Sequence, residues 1–128
     1  MKIGVLEDDP AIRGLLNEML ELCGHTPFTF HNGWDFLEQF LDEEAVLSRK
    51  PFDVVLIDLF LPSSISGTQT IHQLRTAYAD LPIMIVSAAS CQHLERLKQE
   101  YPGVAVFQKP FVMRELLAAI EACRCSRN

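Results

Sequence analysis

Residues 54–58 read VVLID, four apolar residues closed by a carboxylate. A continuous apolar, largely β-branched run of this length is what a central parallel strand covered on both faces requires. Four other apolar segments flank it: Ile3–Leu6, Pro27–Phe30, Ile83–Val86 and Val104–Phe107. Between and after them, apolar residues recur at helical spacing. Ile12, Leu15, Leu16, Met19, Leu20 and Cys23 form the first such stripe, with Asp9 as N-cap, Pro10 at the first helical position and Gly24 as the stop. Trp34, Leu37, Phe40 and Leu41 follow Asn32-Gly33. Ile71, Leu74 and Tyr78 follow a loop containing Pro62, Ser63, Ser64 and Gly67. Leu94, Leu97 and Tyr101 mark a weaker fourth stripe, and Met113, Leu116, Leu117 and Ile120 the fifth. Five strand–helix units predict an α/β fold, because parallel strands need crossover helices. Right-handed crossovers then favour a doubly wound five-stranded parallel sheet in the order 2-1-3-4-5.

The 128 residues fit a single domain, 1–128, with no repeat, low-complexity tract or linker. Apolar content of 48% and charged content of 22% are ordinary for a globular chain. A net charge of −6, with eleven scattered Lys and Arg, lacks the clustered basic face of a nucleic-acid binder. No apolar stretch is long enough to predict a membrane span, and MKIGVLEDD turns acidic too soon for a signal peptide. Cys23, Cys91, Cys123 and Cys125 lack a paired CxxC frame and read as reduced thiols. His25, His31, His72 and His93 have no zinc-site spacing. The composition fits a cytoplasmic protein acting through protein contacts.

Chemistry collects where the apolar runs end. The first strand ends on Glu7 and Asp8, the third on Asp58, the fourth on Ser87, and the fifth runs to Lys109. In a doubly wound sheet ligands bind beyond the carboxyl ends of the strands, and the predicted order makes the first and third strands neighbours. Three carboxylates therefore converge. Adjacent like charges at a core edge are costly unless a cation neutralises them. Oxygen ligands of this kind suit a hard divalent ion such as Mg²⁺, commonly shared with a phosphate. Asp9 needs no such role, since helix capping explains it. Taken singly, Asp58, Ser87 and Lys109 read equally well as a loop acid, a helix cap and a solvated strand end. The ordered set on one edge is what departs from chance.

With these motifs in place, the chain resembles a response-regulator receiver domain, the phosphoacceptor module of two-component signalling. The marks are Glu7-Asp8 within EDDP, Asp58 in IDLFLP, Ser87-Ala88, and Lys109-Pro110-Phe111, and the likeness runs from Lys2 to about Arg124. The resemblance implies a flavodoxin-like fold. It implies that Asp58 accepts a phosphoryl group from the phosphohistidine of a sensor histidine kinase or phosphotransfer protein. Mg²⁺ would be bound directly by Asp8 and Asp58, through water by Glu7, and by the backbone carbonyl of Phe60. Ser87 and Lys109 would each meet a phosphoryl oxygen, and a conformational switch would signal to a partner or output domain. The chain would be no enzyme toward outside substrates, catalysing only its own phosphorylation and dephosphorylation. A homodimer through the fourth helix, fifth strand and fifth helix is a further expectation, as is the absence of direct nucleic-acid contact and of membrane contact.

Several positions depart from the family pattern. The aromatic usual three residues before the lysine is replaced by Val106, and Phe107 falls on the opposite strand face. A modified switch is expected. The loop LFLPSSISG is one residue longer than usual, and Phe60 and Ala89 stand where side chains tune phosphate lifetime. Neither can position an attacking water, so slow self-dephosphorylation is expected. The first alternative is a pseudo-receiver, a phosphorylation-independent interaction module. A haloacid-dehalogenase-like phosphatase would want an acid at Phe60, and a flavodoxin-like flavin binder a phosphate cradle where EDDP stands. With the last helix ending near Asn128, the sequence reads as a stand-alone receiver or as one part of a longer protein.

Overall fold

The computed structural model describes residues 1–40, 52–58, 67–88 and 90–125. Five parallel strands, β1 (Lys2–Leu6), β2 (Thr26–Phe30), β3 (Val54–Ile57), β4 (Ile83–Ser87) and β5 (Ala105–Gln108), form one sheet. Their order is β2-β1-β3-β4-β5, as expected from the sequence. Among the described residues the helices are α1 (Pro10–Leu22), α2 (Gly33–Phe40), α3 (Gly67–Ala77), α4 (Cys91–Glu100) and α5 (Met113–Cys125).

The sheet separates two apolar layers. Along β3, Val54 and Leu56 pack with Leu16 and Leu20 of α1 and with Leu116 and Ile120 of α5. Val55 and Ile57 face the other way, against Phe36 and Leu37 of α2, Ile71 and Leu74 of α3, and Leu94 and Leu97 of α4. The two-residue strand period thus feeds both cores, which is why the run VVLI has no polar member. Gly4 of β1 permits the closest approach: a Cβ there would lie 2.8 Å from the Phe52 ring and 3.2 Å from that of Phe36.

Helix ends follow their sequence signals. The Asp9 carboxylate accepts from the Ala11 and Ile12 amides at 2.9 and 3.4 Å, and Pro10 occupies the first helical turn. At the other end Gly24 has φ +85°, and the Gly24 and His25 amides return to the Glu21 and Leu20 carbonyls, both at 3.0 Å. That pair of bonds satisfies the last carbonyls of α1 and turns the chain into β2.

Three residues assigned to apolar stripes behave differently. Leu15 and Trp34 are 49% and 55% exposed, and Cys23 caps α1 in an exposed position. Leu15 lines an open groove with Phe111 and Met113, and Trp34 one with Leu37 and Gln73. Leu41, at the end of the second stripe, lies outside the described residues. Val104 is buried but precedes β5, whose paired residues begin one position later. His25 is taken up in packing, with Nε2 2.9 Å from Glu121 Oε1 of α5.

Candidate functional site

Backbone pairing places the expected residues at one edge. In register, Leu6 lies beside Ile57, Ile57 beside Ile85, and Ile85 beside Val106. The residues after these strand ends continue the alignment: the Asp58 amide donates to the Leu6 carbonyl at 2.9 Å, and the Lys109 amide to the Ser87 carbonyl at 2.7 Å. Glu7, Asp58 and Ser87 are buried, at 2%, 4% and 0% exposure, while Asp8 is half-buried. Carboxylate oxygens of Glu7, Asp8 and Asp58 lie within 4.8 Å of one another.

Lys109 ties this group together from the far strand. Its Nζ donates to Glu7 Oε1 and Oε2 at 3.2 and 3.0 Å, and to Asp58 Oδ2 at 3.2 Å. The Lys109–Pro110 peptide bond is cis. Burial pushes the Glu7 carboxyl up from its ordinary 4.5 to about 7; the Lys109 hydrogen bond opposes this and the Asp58 charge reinforces it. Burial pulls the Lys109 ammonium down, but the Glu7 hydrogen bond and the Asp58 charge outweigh it, so its pKa is raised.

The donor set fits a hard divalent cation. Three carboxylates against one ammonium leave two negative charges when all are ionised, and every facing donor is oxygen. Phe60 and Ala89 lie outside the described residues, as does most of the loop after Asp58. The two fifth-strand positions split as the two-residue period demands. Val106 packs against the layer of α2, α3 and α4, and Phe107 against that of α1 and α5. Phe107 therefore sits across the sheet from the face the usual aromatic would occupy.

One residue escaped the sequence reading. Arg13 Nη1 donates to the Glu7 carbonyl at 3.0 Å and to the Asp8 carbonyl at 3.4 Å. Its signal was available: helical side chains lean toward the N-terminus, so a long cation on the first turns of α1 reaches back to the preceding strand end.

This sheet order, with acids and a lysine gathered at its carboxyl edge, defines a class, and the family model for the response regulator receiver domain matches residues 3–121. The chain belongs to the response-regulator receiver family of two-component systems. It is 32% identical over 123 residues to the response regulator MprA of Mycobacterium ulcerans, covering 95% of this chain and 49% of that protein. The chain thus spans about half the length of the curated relatives it matches. Among solved structures, a Francisella response-regulator receiver domain superposes with a TM-score of 0.82 at 20% identity, covering 99% and 98% of the two chains. The response regulator TrrA of Thermotoga maritima, solved in complex with Mg²⁺-BeF, gives 0.76 at 26% identity, covering 95% and 97%.

Proposed function

We propose that Asp58 is the phosphoacceptor of this receiver domain. The observation that carries the reading is the Lys109 ammonium held between Glu7 and Asp58, at 3.0 and 3.2 Å, across 102 and 51 positions of sequence. A buried acid cluster with its own cation at the switch edge of the sheet is organised for anion transfer rather than for packing. An Asp58 oxygen attacks phosphorus as the P–N bond of a phosphohistidine breaks, and the donor imidazole leaves with the electron pair. Positioning and charge neutralisation supply most of the catalysis such a step needs.

Mg²⁺ is the proposed cofactor, with Asp8 and Asp58 as direct ligands and Glu7 acting through water. When bound, it neutralises charge on the incoming phosphoryl oxygens. Lys109 then trades a carboxylate partner for a phosphoryl oxygen, a change its flexible stem permits. Ser87, buried at the end of β4 beside Gln108 of β5, is the proposed hydroxyl donor to a second oxygen. Movement of Ser87 would pass to the face formed by α4, β5 and α5, the proposed surface for an output partner or a second copy. Sensor histidine kinases or phosphotransfer proteins are the proposed donors, in the cytoplasm. Among the described residues no helix is long and apolar enough to cross a membrane. Beyond its own phosphorylation and dephosphorylation we assign the chain no enzymatic activity.

The test is intact mass after incubation with acetyl phosphate, with and without Mg²⁺, beside an Asp58→Asn control. A Mg²⁺-dependent gain of one phosphoryl group, absent in the control, is expected. No gain in a protein that still binds Mg²⁺ would instead favour the phosphorylation-independent module, for which the aliphatic Val106 is the supporting feature.

A further inference from the structure

We infer that Arg13 is a positioning residue that aims the Asp8 carboxylate, an inference that rests on the proposed Mg²⁺-dependent function. Among the described residues, Glu7 and Asp58 are held by Lys109, whereas no hydrogen bond is made to the Asp8 side chain. The direction of Asp8 is therefore set by its backbone. Both peptide carbonyls that define that backbone, those of Glu7 and Asp8, accept from the single Nη1 of Arg13. The Asp9 amide completes the turn by donating to Glu7 Oε1 at 3.2 Å.

Helix electrostatics make this placement informative. A cation near a helix N-terminus opposes the macrodipole, a cost that the Asp9 carboxylate capping α1 offsets only in part. What Arg13 gains there is a pair of carbonyl acceptors at the strand end. A planar, permanently charged guanidinium supplies such directional bonds better than an ammonium does. Its contact with the acids is through their main chain and not their carboxylates, which leaves the oxygens of Asp8 to face the site.

Charge and position predict opposite results when the guanidinium is removed. Deleting a positive charge beside three carboxylates should tighten cation binding. Releasing the backbone that aims Asp8 should weaken it, by about tenfold if Arg13 acts as outer-shell partners of metal ligands commonly do.

Calorimetric titration of the whole chain with Mg²⁺ decides between them, using Arg13→Gln and Arg13→Lys with thermal unfolding in chelator as the check on folding. The expected result is about tenfold weaker binding in Arg13→Gln, partial recovery in Arg13→Lys, and slower phosphorylation by acetyl phosphate in the same order. Unchanged or tighter Mg²⁺ binding in Arg13→Gln overturns the inference while leaving the phosphoacceptor function standing. Equal losses in both variants that track their unfolding temperatures also overturn it, marking Arg13 as structural only. A wild-type chain that takes up no Mg²⁺ overturns the function and this inference together.

Discussion

The third and fifth strands both lead to a charged residue of the site, yet they are built differently. All four residues of β3 are buried, and Asp58 follows them directly. In β5 three residues are half-buried and the fourth, Gln108, is exposed, so Lys109 leaves from an edge. A central strand presents its terminal acid from a position fixed on both sides by neighbours. An edge strand has one neighbour, and one of the chain's departures from the family, Val106, lies on it. The proposed acceptor thus sits on a strand held on both sides, and the proposed signal on one of the two edge strands.

The largest test of this contrast is chemical. Asp58→Asn should abolish phosphoryl uptake from acetyl phosphate, whereas Val106→Ala should retain it at a rate near that of the parent chain. Equal loss in both, read by intact mass, would break the division between centre and edge. A second test concerns stability. Ile57 is fully buried, so Ile57→Ala should cost about 2–5 kcal/mol in urea unfolding. Val106→Ala, on a half-buried edge, should cost about 1 kcal/mol or less.

The smallest effect is titrational and sharpens the comparison at Glu7, which bridges the two strands through Lys109. Its folded pKa is raised from 4.5 to about 7, so between those values the native state binds more protons than the unfolded chain. Stability from this group is then complete below pH 4.5 and is lost as pH rises through about 7. The full shift corresponds to roughly 3 kcal/mol as an upper bound. In chelator, unfolding free energies at pH 5 and pH 8 should therefore differ less in Glu7→Gln than in the parent. Saturating Mg²⁺ should flatten the parent's slope by favouring the ionised acid.

Much of this is legible in the amino-acid order. The run VVLID announced a buried central strand because four consecutive apolar residues leave no face for solvent. Asp9-Pro10 and Gly24 announced the ends of α1 through local backbone chemistry alone. The candidate site was legible as a list of strand-terminal residues, since parallel strands all present their carboxyl ends to one edge. The stripes were less faithful at Leu15 and Trp34: periodicity places both on the apolar side of a helix, but only the packing of neighbouring elements decides whether anything covers them.

The amino-acid order by itself determined the succession of elements, the acidic balance and the residue types available at the sheet edge, because these depend on near neighbours in the chain. Tertiary structure alone decided that Lys109 reaches Glu7 across 102 residues. It also decided that Gly4 lies under the Phe52 ring. Those contacts depend on strand register and on the path of side chains between elements, and local sequence carries no record of either.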